Sequence, residues 1–277
     1  MSSPSQDEQL ITYYQALFRA WGRQRWWPAR TRFEVIVGAY LTQNTSWTNV
    51  GIALRSLRAA GVLNLKGIRN LALPQLESLI RSSGYFRQKA RRLKLFVAFL
   101  DTYYGGSLNR MFAQPTEKLR EQLLGLNGVG PETADSILLY AGQHPVFVVD
   151  AYTRRIVDRH GILPATAPYE EIRQLFQRAL AADVQRASAA PAVADLRTRN
   201  QKLGNGSAGA AHRPSAMSTA KRSALVQIYN EMHGLIVGVG KSYCLKSKPR
   251  CEDCPLQSFL PQASTPGISN LNHKGDP

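Results

Sequence analysis

The sequence predicts an all-α fold of two helical domains. Two observations lead there: apolar residues recur at helical spacing through most of the first 180 positions, and no alternating apolar–polar pattern recurs often enough to build a sheet. A length of 277 residues holds one large domain or two modest ones with a proper core.

The elements follow in order. Phe33, Val35, Ile36, Val37, Ala39, Tyr40 and Leu41 form a largely apolar segment, as expected of a helix buried in an all-α core. Leu54, Leu57 and Arg58 lie on a second, amphipathic helix that stops near Gly61, and Pro74 starts a third, residues 75–82, that ends at Gly84. From Tyr85 to Lys94 the chain is basic, and Leu93, Phe96, Val97 and Leu100 are left to pack inward. Helical patterns over 117–124 and 132–141 flank the glycine-rich stretch Leu124 to Pro131. Val146 to Val149 has strand composition but no partner strand, so an extended buried connector is expected, followed by a helix over 151–160. Residues 187–218 are rich in Ala, Ser, Gly, Asn, Arg and Pro and poor in large apolar groups. They read as a flexible insertion that cannot offset its ordering entropy. Helical spacing resumes at Ala224, Ile228, Met232 and Ile236 and leads into a cysteine cluster; the tail after Pro261 has loop composition.

Charge narrows the partners. Thirty-five Lys and Arg against nineteen Asp and Glu leave +16, and such an excess favours a polyanion, whose neutralised phosphates release condensed counterions. A merely basic proteome background is the plain alternative. The N-terminus lacks the basic and apolar regions of a secretory signal, and no apolar run reaches the ~20 residues of a membrane helix. A cytoplasmic, nucleoid-associated protein without a membrane partner is therefore expected, as a monomer. All three cysteines fall between Cys244 and Cys254, a clustering that suits a metal better than a disulfide framework.

The stretch from Leu126 to Asp150 carries the chemistry. Gly128 and Gly130 permit positive φ and close approach, and the backbone amides of Gly128, Val129 and Gly130, at the start of the next helix, are suited to a phosphate oxygen. That is a helix-hairpin-helix, though an ordinary glycine turn has the same local sequence. Asp150 is either a helix N-cap or a functional carboxylate, and the two roles are compatible.

Leu126-x-Gly-Val-Gly-x-x-Thr-Ala-Asp, followed by Val148-Val149-Asp150-x-x-x-x-Arg155, resembles the endonuclease III superfamily of helix-hairpin-helix DNA glycosylases. Leu41-Thr42-Gln43-Asn44-Thr45 and Gly84-Tyr85-x-x-Gln88-Lys89-Ala90 extend the resemblance over roughly residues 10–180 and 224–258. It implies a base-excision enzyme acting on a damaged base flipped from double-stranded DNA, with Asp150 catalytic. A fixed anion stabilises the oxocarbenium character that builds as an N-glycosidic bond breaks, and it can orient or deprotonate water. Gln43 would fill the gap left by the extruded nucleotide, or else be a buried polar residue; Lys89 would contact DNA.

Bifunctional members of the family carry a lysine two residues after the second hairpin glycine, where this chain has Glu132. A carboxylate forms no imine, so a monofunctional hydrolase is expected. Trp26, Trp27, Trp47, Glu132 and Lys241 look like the 3-methyladenine glycosylase branch. By that resemblance the aromatics line the base pocket, with Lys241 nearby. Stacked indoles suit a cationic alkylated purine through cation–π attraction; alternatively, two adjacent tryptophans plug a core.

Cys244-x6-Cys251-x2-Cys254 matches the first three ligand positions of the family's iron–sulfur loop, and Leu260 stands at the fourth. A [4Fe–4S] cluster, zinc completed by a histidine, and a relic all stay open. The expected arrangement is a central domain over 33–138 holding the hairpin. A second domain is built from 1–32 plus 139–277, with the insertion at 187–218 and the cysteine loop at 244–254. The rival readings are a bifunctional glycosylase and lyase for oxidised pyrimidines, and a non-catalytic DNA-binding module. Asp150 argues against the latter, since a mere binder gains nothing from an anion in a phosphate-lined cleft.

Overall fold

The computed structural model describes residues 4–189 and 212–261. Every regular element among them is helical: α1 (Gln6–Trp21), α2 (Arg32–Thr42), α3 (Trp47–Ala59), α4 (Leu65–Asn70), α5 (Leu73–Leu79), α6 (Phe86–Tyr104), α7 (Leu108–Phe112), α8 (Thr116–Leu124), α9 (Pro131–Ser136), a π turn (Ile137–Gly142), α10 (Ala151–Arg159), α11 (Tyr169–Ala189) and α12 (Ala224–Ser242). Short 3₁₀ turns occur at Arg81–Ser83, Cys251–Asp253 and Gln257–Phe259. No described helix is long and apolar enough to cross a membrane.

Starts and stops have local causes. Ser5 and Glu8 close a capping box on α1, and Thr31, Ser46, Asn64, Ser107 and Ser223 each accept a backbone N–H at a helix start. Pro74 lies in the first turn of α5, and Gly105 ends α6 in the left-handed region.

α2 is the axis of the molecule. Phe33 to Leu41 are all buried, and burying each of Ile36, Val37 and Leu41 contributes about 1.5–3 kcal/mol. Its one buried acid, Glu34, pairs with Arg58 of α3 and accepts the Arg30 amide at 3.0 Å. α2 packs on α3, α6, α9 and the π turn; α1, α10 and α11 gather about α12, which also touches the π turn.

Three expectations need correction. Residues 132–141 are not one regular helix: α9 ends at Ser136 and the chain widens into the π turn, which keeps Ile137 to Ala141 buried and swings Tyr140 toward α12. The helix expected over 75–82 stops at Leu79 and tightens into a 3₁₀ turn. The insertion is also narrower than its composition suggested. Residues 187–189 extend α11, and the chain from His212 lies along the tryptophan segment: His212 N donates to Gln24 O at 3.2 Å, Ala29 N to Ser215 Oγ at 3.2 Å, and Met217 N to Ala29 O at 3.0 Å. The physical reason is backbone satisfaction, because residues 22–31 sit in no helix and their polar groups need partners. Residues 190–211 lie outside the described part of the chain.

The connector over 146–149 is extended, with all four side chains 0–1% exposed. With no sheet to receive them, Phe147 N donates to Gln177 Oε1 at 3.1 Å and Val149 N to the Tyr169 hydroxyl at 3.3 Å. Tyr169 in turn donates to Asp135 at 2.8 Å, and Arg120 clamps Asp135 from α8 at 2.7 Å. The last residue of the hairpin motif thereby ties α8 and α9 to the connector that delivers Asp150.

Candidate active site

The hairpin turns between α8 and α9. Gly128 has φ +78°, a backbone conformation that favours glycine, and the Arg92 side chain lies so close over it that a Cβ would displace the guanidinium. Gln43 braces this turn: its Nε2 donates to Gly128 O at 2.9 Å and to Thr133 Oγ1 at 3.0 Å, while Arg92 donates to its Oε1 at 2.9 Å. Both polar atoms of the Gln43 side chain are engaged, Nε2 with the hairpin and Oε1 with α6. Lys89 corrects a further expectation. It is 1% exposed, its Nζ donates to Leu41 O at 2.9 Å and Ser83 O at 2.6 Å, and burial lowers its pKa to about 8. It is a strut between α2 and α6 and faces no surface that DNA could reach.

Asp150 caps α10. Its Oδ1 accepts the Thr153 amide at 2.8 Å and the Thr153 hydroxyl at 2.9 Å, and its Oδ2 lies 3.6 Å from His233 Nε2 on α12. Burial pushes the carboxyl upward, but His233 and the two Thr153 donors outweigh it and hold the group below the ordinary aspartate value. Glu132, still open to solvent in the first turn of α9, moves the other way. Desolvation and then the charge of Asp150 push it up to about 7, against weaker opposition from His233 and Arg154.

The tryptophans converge beside this pair. Trp27 meets Trp47 edge-on at 4.9 Å and Tyr140 at 5.1 Å; Trp26 lies 5.7 Å from Trp27, 6.4 Å from Trp47 and 6.2 Å from His233. Lys241 Nζ sits 5.8 Å over the Trp26 ring, its pKa lowered by burial and partly restored by Asp150. Both tryptophans are buried in the core, Trp26 4% and Trp27 5% exposed. Trp27 packs on Gly38, where a Cβ would be 3.2 Å from its ring, and is core. Trp26 faces Lys241 and His212. Both indole N–H groups are buried without a partner among the described residues.

Residues 37–182 match the HhH-GPD superfamily of base excision DNA repair proteins. Across 256 residues the chain is 38% identical to the MJ1434 protein of Methanocaldococcus jannaschii, named provisionally as a DNA repair glycosylase, covering 91% of this chain and 96% of the relative. The chain belongs to this superfamily. As an HhH-GPD protein it is a DNA N-glycosylase of the endonuclease III type. Endonuclease III of Sulfolobus acidocaldarius is 26% identical over 83% of this chain and 82% of its own length. Among solved structures, the Helicobacter pylori 3-methyladenine DNA glycosylase bound to 1,N6-ethenoadenine superposes with a TM-score of 0.65 at 27% identity, covering 86% of this chain and 98% of that one.

The cysteine loop departs from the family's cluster-binding pattern. Cys244, Cys251, Cys254, His160 and Leu260 line one cavity of about 20 Å³, room for roughly one water-sized probe. No group of three His, Cys, Asp or Glu among the described residues is arranged to hold a metal ion. His160, in the wall of that cavity, has its Nδ1 engaged by the Tyr13 hydroxyl at 3.0 Å. Arginines hold the loop instead. Arg155 donates to Cys244 O at 2.7 Å, and Arg159 to Leu245 O at 2.7 Å and Cys244 Sγ at 3.2 Å. The residues present do not fit a four-iron cluster, and no step below passes through one.

Sequence reasoning did not single out His233, Tyr140, Thr153 or Arg92. Thr153 was within reach, since it stands three residues after Asp150 in a capping-box position. His233 and Tyr140, 93 residues apart, gave no local signal.

Proposed function

We propose that this enzyme is a monofunctional DNA glycosylase that hydrolyses the N-glycosidic bond of an alkylated purine flipped out of duplex DNA. One observation carries the reading: an ionised Asp150 shares its surroundings with Trp26, Trp27, Trp47 and Lys241, and the position beside it that would carry a lyase lysine is Glu132. The similarity to a glycosylase solved with a modified adenine supports the same substrate class.

A single copy of the protein would bind duplex DNA between the hairpin group and the α1, α10, α11 and α12 group. The hairpin amides of Gly128 and Gly130 would take a phosphate, the Val129 amide being spent on Leu126 O at 3.0 Å, and the lesion would turn toward Trp26. A cationic purine is attracted to indole faces, and its glycosidic bond is already weakened by charge. As the bond from C1′ to the base nitrogen breaks, its electron pair leaves with the base and neutralises it. Positive charge grows on the sugar beside Asp150, which stabilises it. Water then bonds to C1′ and gives up its proton through Asp150 to solvent, leaving an intact strand with an abasic site.

The test uses duplexes carrying a methylated purine or an oxidised pyrimidine, assayed with and without alkali. Base loss that needs alkali for strand scission, abolished in Asp150→Asn, is the expected result. Direct nicking of the oxidised-pyrimidine duplex, or an Asp150→Asn protein equal to wild type, overturns the reading.

A further inference from the structure

We propose that His233, gripped by Tyr140, is a positioning residue that holds the second oxygen of Asp150 and so fixes the aim of the carboxylate. The inference rests on Asp150 being the group that acts on the sugar, and it adds an assignment on a different helix.

The geometry is a three-member chain crossing three elements. Thr153 takes Oδ1 of Asp150 with two donors, which still lets the carboxylate pivot about that atom. Oδ2 faces His233 Nε2 at 3.6 Å. On the far side of the same ring, Nδ1 is 2.5 Å from the Tyr140 hydroxyl. A carboxylate beside Nε2 selects the tautomer with its hydrogen there, and the Tyr140 hydroxyl then donates to the lone pair on Nδ1. Tyr140 is suited to that role because it keeps its proton, burial first and the charge of Asp150 second raising its phenol well above the ordinary value.

One feature separates this ring from a histidine that merely fills the core. His233 is 4% exposed and its Nε2 is buried without a hydrogen-bond partner among the described residues, as are the Nε2 atoms of His144 and His212. What sets His233 apart is the group its Nε2 faces. Here the open valence points at the one carboxylate the reaction needs, at a separation that tightens to a hydrogen bond when a bound complex closes, as such contacts commonly do. The π turn matters as well: by widening the helix after Ser136 it places Tyr140 against His233 and Trp27 together. The base-facing aromatics and the Asp150 support are therefore one packed unit.

Other charges bear on the pair and must be kept constant in a test. Glu132 from α9 and Lys241 from α12 face Asp150, Arg154 of α10 acts on Glu132, and Arg222 acts on Tyr140.

The experiment compares His233→Ala, His233→Gln and Tyr140→Phe with wild type on whichever lesion the wild type excises. Its readouts are single-turnover base release, affinity for DNA with an abasic-site analogue, and the carboxyl titration of carbon-13-labelled Asp150 in the free protein. His233→Ala is expected to release base about 10- to 100-fold more slowly, as a misaimed catalytic group does. Its DNA affinity should stay within about 2-fold and its Asp150 titration should move to higher pH. His233→Gln, whose amide N–H falls near the place of Nε2, should recover most of both, with Tyr140→Phe intermediate. A His233→Ala protein with wild-type rate and titration overturns the proposal. So does a His233→Gln protein as slow as His233→Ala with Asp150 titrating as in wild type, since that leaves only packing. The titration needs no lesion: a wild type that excises no alkylated base defeats the proposed substrate class, and the carboxyl shift still decides the role of His233.

Discussion

Glu132 and Asp150 are two carboxyl groups in one site that the surroundings drive in opposite directions. Asp150 is held ionised by His233 and Thr153, while Glu132, pushed up to about 7, carries its proton on the acid side of that value and loses it on the alkaline side. The sign for stability follows. An acid whose folded pKa is raised stabilises the fold fully below its unfolded pKa and loses that contribution as pH climbs through the folded value. Glu132→Gln, neutral throughout, should match wild type in thermal stability below the ordinary glutamate value, gain on it as pH climbs to about 7, and keep that gain above. Melting temperatures on both sides of that pH check this, and a Gln variant that gains nothing on the alkaline side counts against the crowding of the two acids. Lys89 gives the complementary lesson at the same scale. A basic residue in a basic run reads as a DNA contact, yet its two carbonyl acceptors make it an internal strut.

Elements were legible where a single helix face decides them and illegible where a tertiary partner does. The apolar run 33–41, the hairpin glycines and the cap at Asp150 each carry a local cause, and each stands where the sequence put it. The π turn has no such cause: residues 137–141 are uniformly apolar or aromatic, and only packing against α2 and α12 selects the wider turn. The return of the chain from His212 was hidden for the same reason, since small polar residues acquire order from the bare backbone of the tryptophan segment. In the cysteine loop the spacing was legible and the fourth ligand was not, and the structure puts Leu260 in the wall of the small cavity where a fourth thiolate belongs. Leu260→Cys is therefore expected to raise iron per chain, with new visible absorption, after reconstitution with iron and sulfide, because cluster binding and ordering of the loop are coupled. Wild type reconstituted in parallel should stay low. Equal iron in both proteins would mean that three thiolates suffice.

At the scale of the whole molecule, +16 overstates what is offered to DNA. Many of the cations are consumed internally: Arg69 by Asp101, Arg120 by Asp135 and Glu170, Arg178 by Asp7, Arg155 and Arg159 by carbonyls of the cysteine loop, and Lys94 by Leu71 O at 2.5 Å and Arg69 O at 2.9 Å. Arg92 differs. It lies on α6 against Gly128 and donates to Gln43, which leaves a half-buried guanidinium beside the hairpin. The slope of log affinity against log salt counts the phosphates neutralised, about 0.9 for each on duplex DNA. Arg92→Met should therefore flatten that slope by about 0.9 and weaken binding alike on damaged and undamaged duplexes. Lys94→Met, which removes a cation of equal charge whose ammonium is tied to two carbonyls, should leave the slope unchanged and lower stability instead. Titrations of both variants at several salt concentrations separate these outcomes, and equal flattening in the two would mean that net charge, rather than placement at the hairpin, governs how this glycosylase finds DNA.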